Sequence, residues 1–232
     1  MAFNGGKMFH IFKLRDDHTY LPEFDWFYSK EVLENCEFYM KIDGANHCLF
    51  KENDQWIVGE RYDDKKEKFN NGIPPDFRSL PIGSNSYQHH IHHYYYHLLY
   101  PEKAGKKKRK IIEKMYALIE EKKEIIDKLA NDNKYLTFEA VGKKFNKTPG
   151  IDEDVDIAIH CMQTLNYTGP RTFEGIQKYL LEEVCIEGIV VEYQGRYWKI
   201  RSDCFDKKCA FSQIRKRGIP NNFIEPVLLN KC

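Results

Sequence analysis

The run from Ile186 to Arg201 constrains the fold of this chain more than any other stretch. Ile186-Glu187-Gly188-Ile189-Val190-Val191-Glu192-Tyr193 is dominated by β-branched and aromatic residues, which suit a pleated, half-buried surface. Gln194-Gly195 makes a two-residue turn, and Arg196-Tyr197-Trp198-Lys199-Ile200-Arg201 returns as the hairpin partner. Side chains alternate across a strand, so Lys199 and Arg201 point to one face while Trp198 and Ile200 point to the other. On the first strand Glu187, Ile189 and Val191 share a face. The hairpin can therefore present one carboxylate and two cations into a common cleft. The alternative is the wet face of an edge hairpin, a common way to discourage strand pairing.

Other strand patterns surround it. Met8 to Leu14 alternates loosely. Glu37 to Lys41 reads as a strand entering a turn. His47 to Lys51 and Gln55 to Tyr62 read as two strands joined by Glu52-Asn53-Asp54. Tyr135 to Gly142 and Asp156 to Met162 add two more. Helices are expected at Asp25 to Cys36, with Ser29 as a candidate cap, and at Thr172 to Glu183, with Thr172 capping and Gly175 a weak point. Ile111 to Leu129 spaces its apolar residues at helical intervals, so a long amphipathic helix is predicted. Gly72 to Ser86 is rich in Gly, Pro and Ser and reads as a loop.

Two segments allow two readings each. Tyr87 to His97 holds five of the nine histidines. It reads as an aromatic amphipathic helix packing its tyrosines and leucines, or as a metal site with imidazoles on one helix face. Lys106-Lys107-Lys108-Arg109-Lys110 is either a phosphate-binding patch or the solvated start of a helix.

The 232 residues, 42% of them hydrophobic, suffice for a real core. No run approaches the roughly 20 apolar residues of a membrane span. The N-terminus lacks the apolar block of a secretory signal. Seven cysteines, with no Cys-x-x-Cys pair, indicate neither a disulfide framework nor a structural zinc site. An intracellular protein, cytoplasmic or nuclear, with reduced thiols is expected. Net charge is +1, so any attraction to nucleic acid must come from local patches. One such patch is Arg196 to Arg217, with eight Lys or Arg against Asp203 and Asp206. It suits a phosphate backbone, with Phe205, Phe211 and Tyr197 available to stack on bases, or it is a basic surface helix.

The chemistry centres on Met40-Lys41-Ile42-Asp43-Gly44-Ala45-Asn46. A lysine ends a strand, and an Asp-Gly turn beside it leaves room for a ligand. Behind it, in order, stand Arg61, Glu139, Glu187 and the Lys199/Arg201 pair. This series resembles the covalent nucleotidyltransferases, the polynucleotide ligases and mRNA capping enzymes. Their Lys-x-Asp-Gly is matched by Lys41-Ile42-Asp43-Gly44, and the arginine after the next hairpin by Arg61. Their glutamate near a glycine is matched by Phe138-Glu139-Ala140-Val141-Gly142. An apolar strand follows at Asp156 to Met162. Their Glu-Gly-[Ile/Val]-Val is matched by Glu187-Gly188-Ile189-Val190, and Lys-x-Lys or Lys-x-Arg by Lys199-Ile200-Arg201. The resemblance covers about Glu37 to Asp203, apart from an insertion. Within the superfamily the chain is most similar to the compact 5′-to-3′ RNA ligases of animals and large viruses. They too carry a histidine after the apolar strand, here His160. The 31 residues after Arg201 do not accommodate an OB-fold domain.

The resemblance implies an α+β fold, a nucleotidyltransferase domain with two twisted antiparallel sheets flanking an ATP cleft. It implies one domain over residues 1–232, with a mostly helical insertion at about 72–133. The implied activity is an ATP-dependent RNA ligase, acting in RNA repair, that joins 5′-phosphate and 3′-hydroxyl ends through lysyl-AMP and an RNA-adenylate. The alternatives are a minimal DNA ligase, a guanylyltransferase, or a non-catalytic nucleic-acid-binding relative. Lys41 is the implied nucleophile. A free lysine titrates at about 10.4, so neighbouring cations and desolvation must favour its neutral form. Lys199 and Arg201 would contact the α-phosphate. Glu187, with Glu139 in support, would hold Mg²⁺ or Mn²⁺. Arg61 would bind the ribose or, later, the 5′-phosphate of the RNA, Glu139 a ribose hydroxyl or the metal's outer shell, and main-chain groups near Met40 the adenine. Lys207, Lys208, Arg215 and Lys216 would contact RNA. A monomer with no membrane partner is expected.

Overall fold

A computed structural model of the chain describes residues 8–25, 29–61, 88–91, 94–131, 133, 135–145, 151–217 and 228–231. The first half contains β1 (Phe9–His10), β2 (Phe12–Leu14), β3 (Tyr20–Phe24), α1 (Ser29–Asn35), β4 (Glu37–Lys41), β5 (Ala45–Glu52), β6 (Gln55–Arg61), β7 (Gln88–Ile91) and β8 (Tyr94–Leu98). After a short 3₁₀ turn come α2 (Lys106–Glu121), α3 (Lys123–Ala130), β9 (Tyr135–Val141) and β10 (Asp156–Ile159). Then follow α4 (Phe173–Lys178), a π-helical turn at Tyr179–Glu183, β11 (Gly188–Tyr193), β12 (Arg196–Arg201), α5 (Ser202–Phe205) and α6 (Ala210–Arg217). The expected loop at Gly72 to Ser86 lies outside the described residues.

The class is mixed α+β, as expected, with three sheets among the described residues. One has the order β1-β12-β11-β4, a second β10-β9-β5-β6-β8-β7, and β2 pairs with β3 alone. The first is not purely antiparallel, because β1 runs parallel to β12. The loose alternation of Met8 to Leu14 is thus split between two sheets. Its break at Ile11 sends β1 to the central hairpin and β2 to β3.

Both tight hairpins follow their sequence. Asn53 and Asp54 have φ of 48° and 60°, and Gln194 and Gly195 have φ of 51° and 75°. Paired positive φ values are what a two-residue hairpin loop needs to match strand twist. The predicted cap is also present, with the Thr172 hydroxyl accepting from Gly175 N–H at 3.1 Å.

Two cores hold the large sheets. Beneath the four-stranded sheet, Phe38, Met40, Ile189, Val191 and Ile200 pack with Val32, Leu33 and Ile176. Beneath the six-stranded sheet, Leu49, Phe138 and Ile157 pack against Ile112, Met115, Ile119 and Ile126 of α2 and α3. Asp127 ties α3 to the β5–β6 hairpin, accepting from Lys51 Nζ at 2.8 Å and Trp56 Nε1 at 3.0 Å.

Two expectations need correction. The long helix breaks at Lys122, whose ψ of 19° ends α2 and begins α3. The charged run Glu120 to Glu124 has no apolar side chain to hold that turn to the sheet. Where the His- and Tyr-rich segment is described it is not a helix either, since β7 and β8 pair antiparallel and extend the six-stranded sheet from β6. Tyrosine favours strands. Tyr96 and Leu98, two residues apart, are both buried with Cys48 and Phe50, a strand periodicity. His89, His90 and His97 lie on these strands and not on a helix face, and the side chains of the five histidines lie outside the described residues. No helix among the described residues is long and apolar enough to cross a membrane.

Candidate active site

The register of three strands sets the site. Gly188 pairs with Lys41 on one side and Arg201 on the other, while Val190 pairs with Tyr39 and Lys199. Residues in register, and those two apart, share a sheet face. Lys41, Lys199 and Arg201 therefore rise together with Val190, on the face opposite the buried Ile189, Val191 and Ile200. Gly188 is required by close approach. A Cβ there would meet the Ile200 carbonyl oxygen at 2.1 Å and Arg201 Cα at 2.9 Å. A Cβ at Gly44 would likewise meet the Ala140 carbonyl oxygen at 2.6 Å, so the Asp-Gly turn packs directly on β9.

Glu187 reaches the cleft by a route that strand alternation does not give. The face it would share with Ile189 and Val191 is core. Instead β11 starts one residue later, and Glu187 sits in a bend. Ser202 fixes that bend, its N–H donating to the Glu187 carbonyl at 2.9 Å and its hydroxyl contacting the Ile186 and Glu187 carbonyls at 3.1 and 3.0 Å. The freed carboxylate accepts from Lys41 Nζ at 2.6 Å, with side chains only 18% and 10% exposed. Its second oxygen lies 4.0 Å from Arg201 Nε, and Arg201 also donates to Asp203.

The six-stranded sheet forms the facing wall. Asn46 and Glu139 are in register on β5 and β9. His160 follows β10, with Nε2 3.1 Å from Glu139 Oε1 and Nδ1 2.9 Å from Thr137 Oγ1. A cleft of about 130 Å³ separates the walls, bordered by Lys41, Lys199 and Val190 on one side and Asn46, Arg61 and Glu139 on the other. Arg61 faces this cleft, while its neighbour Glu60 pairs with Lys108 at 2.6 Å. Met40 borders the cleft from the core, and its N–H is taken by the Gln163 carbonyl at 2.9 Å.

The cations perturb one another. Burial, then Lys41 and Arg201, bring Lys199 down to about 8. Burial would raise the Glu139 carboxyl, but the His160 hydrogen bond and charge, with Lys41 and Arg61, bring it below its ordinary value. Burial and the nearby Glu187 push Asp43 up to about 6, against Arg215 and Lys41.

Of the residues that sequence reasoning named, the fold brings Met40, Lys41, Arg61, Glu139 and Lys199 to one cleft, with Glu187 and Arg201 beside it through the Lys41–Glu187 pair. The basic residues further on do not join them as a group. Lys207 and Lys208 are exposed, with Lys207 3.9 Å from Asp17. Arg215 turns back onto Asp43, 3.1 Å away. The backbone of Lys216 continues α6, and its side chain lies outside the described residues.

Two polar residues escaped the sequence reading of roles. Asn46 lines the cleft, and its Oδ1 is buried with no hydrogen-bond partner among the described residues. Its place in the lysine stretch was the available signal. His10 comes from β1, in register with Lys199. Its Nδ1 lies 2.6 Å from the Tyr20 hydroxyl, which also accepts from Arg201 N–H at 3.1 Å. Burial, then Lys199, Arg201 and Lys41, bring the imidazole down to about 3, so it is neutral at physiological pH. A two-residue parallel pairing across the length of the chain leaves no local pattern to find.

The described residues contain no group of three or more His, Cys, Asp or Glu side chains able to hold a metal by themselves. The donor set nevertheless fits a magnesium-type ion delivered with phosphates, which commonly takes one or two carboxylates and fills its shell with phosphate oxygens and water. Such an arrangement could bind a phosphorylated ligand over the cation row and place an amine against it. No protein-family model matches the chain, and no curated protein matches its sequence significantly.

Proposed function

We propose that the chain is an ATP-dependent RNA ligase acting through a covalent lysyl-AMP. The observation that carries this reading is the position of Lys41. Its amine lies 2.6 Å from Glu187 at the mouth of a cleft, on the same sheet face as Lys199 and Arg201. A structural lysine has no need of two further cations on its face. A lysine that attacks a phosphate does, because they hold the anionic substrate and stabilise charge as the bond forms. The buried Asn46 oxygen gives independent support, since a buried acceptor without a partner among the described residues suits a ligand N–H or O–H.

In this reading neutral Lys41 Nζ attacks the α-phosphorus of ATP. An N–P bond forms, the bond to the bridging oxygen of the β-phosphate breaks, and pyrophosphate leaves. Glu187, already accepting from Nζ, is the nearest acceptor for the departing proton. Lys199 and Arg201 bear on the α-phosphate, and Arg61, Glu139 and Asn46 on the nucleoside. Glu187 and Glu139 would hold Mg²⁺ or Mn²⁺, which neutralises phosphate charge when bound. A 5′-phosphate oxygen of RNA then displaces the lysine, and Lys41 regains its proton. Finally a 3′-hydroxyl attacks that activated phosphate, a phosphodiester forms and AMP leaves.

The test is sealing of 5′-phosphorylated RNA in parallel with nicked duplex DNA, each with ATP and with GTP. Joined RNA with ATP is expected. Joining of nicked DNA alone would make the chain a DNA ligase, and label transfer from GTP alone a guanylyltransferase. Binding of RNA without label transfer from either nucleotide would favour a non-catalytic module.

A further inference from the structure

Arg215 belongs to the basic stretch that the sequence assigns to RNA, yet, with its side chain 42% exposed, it reaches a buried carboxylate of the protein. Nε lies 3.1 Å from Asp43 Oδ2, and the Asp43 side chain is only 7% exposed. Asp43 stands two residues after Lys41, in the turn that Gly44 presses against β9. The underside of α6 is anchored elsewhere, with Phe211 and Ile214 buried alongside Cys209, Cys185 and Leu181. Cys185 lies two residues before Glu187. Helix α6 thus touches both segments that carry the Lys41–Glu187 pair, packing on one and ion-pairing with the other.

We propose that α6 is a positioning element for the lysine turn, with Arg215 fixing the Asp43 carboxylate and so the placement of Lys41 for self-adenylylation. This rests on the proposed function. The electrostatics explain why the contact is needed. Asp43 faces two like charges, Glu187 and Glu139, and the cations acting on it most are Arg215 and Lys41. With Arg215 in place, Asp43 has a counter-ion from outside the cleft, and Lys41 stays on Glu187. Without it, the lysine turn loses its tie to α6, and the placement of Lys41 against Glu187 is held less firmly. Arg215 touches neither nucleotide nor reacting atoms in this arrangement, so it is a positioning residue.

The experiment measures initial rates of Lys41 labelling from ATP for the native chain, Arg215→Ala, Arg215→Lys, Asp43→Asn and the Arg215→Ala/Asp43→Asn double variant, with Gln213→Ala as a control on the same helix. Arg215→Ala should slow labelling by about tenfold or more, toward the roughly hundredfold that a misplacement of about 1 Å can cost. Arg215→Lys should recover most of that loss, and Gln213→Ala should label like the native chain. Because both partners act through one contact, Arg215→Ala should cost little more once Asp43 is Asn. Native-rate labelling by Arg215→Ala, with only RNA sealing reduced, would overturn the proposal and return Arg215 to an RNA contact. Fully multiplicative single effects would overturn it as well. If the native chain takes no label, the ligase reading fails separately. The same cycle read from urea midpoints then decides the pair, coupling supporting the contact and additivity removing it.

Discussion

Lys199 is the residue whose charge the cleft alters most usefully. An amine that titrates at about 8 is charged, and grips phosphate, only below that pH. The KM for ATP in lysine labelling should therefore rise as pH passes through about 8, and Lys199→Arg should flatten that rise because arginine stays charged. A Lys199→Arg profile that still climbs at the same pH would assign the limb to another group. The effect on stability has the opposite sense. A lysine lowered in the native state costs stability while charged, so the penalty is complete below about 8 and is relieved between there and its unfolded value of 10.5. His10 acts in the same sense, in a lower pH window. Its native value of about 3 lies below the unfolded 6.5, so the unfolded chain takes up a proton first and stability drops as pH falls through that window. Denaturation midpoints between pH 7 and 4 should fall less steeply for His10→Asn than for the native protein. Equal slopes would show that the imidazole is not the group responsible.

At the scale of elements, the glycine between Lys41 and Arg201 matters most. Gly188→Ala forces a methyl onto the Ile200 carbonyl and the Arg201 backbone, and it should cost about 1–3 kcal/mol as overpacking does. Urea unfolding measures this, and labelling should fall with it because the same pairing aligns the cations. A neutral substitution would mean that β11 and β12 are less tightly apposed than the pairing indicates. The elements also mark where sequence was informative. Periodicity and turn chemistry revealed the β11–β12 hairpin, the β5–β6 hairpin and the Thr172 cap, because local alternation and local turns carry them. The same reasoning misjudged Gln88 to Leu98, where tyrosines and histidines allow helix or strand and the open edge of β6 decides. It also placed Glu187 on the wrong strand face, because the bend that frees it is fixed by Ser202 from the next strand's end. Six motif residues, Lys41, Arg61, Glu139, Glu187, Lys199 and Arg201, were legible by their order in the chain. Asn46, His10 and the inward turn of Arg215 were not, since each depends on contacts distant in sequence.

At the scale of the molecule, the two large sheets meet at one cleft, and the candidate site lies along their junction. The four-stranded sheet brings the amine and its cations. The six-stranded sheet brings Arg61, Glu139, Asn46 and the His160 support. Lys207 and Lys208 lie outside this junction and remain exposed. Their joint replacement by alanine should weaken RNA binding and reduce its salt slope by about two, since each lost phosphate contact removes about one released counter-ion. An unchanged slope in fluorescence titrations would place the RNA elsewhere. The claim on which the rest depends is that Lys41 becomes covalently linked to AMP. Incubation with ATP labelled at the α-phosphate and Mg²⁺, followed by denaturing electrophoresis, tests it for the native chain and Lys41→Ala. The expected result is an acid-labile label on the native protein that Lys41→Ala lacks. Label retained by Lys41→Ala, or no label from ATP or GTP with any divalent metal, would contradict it.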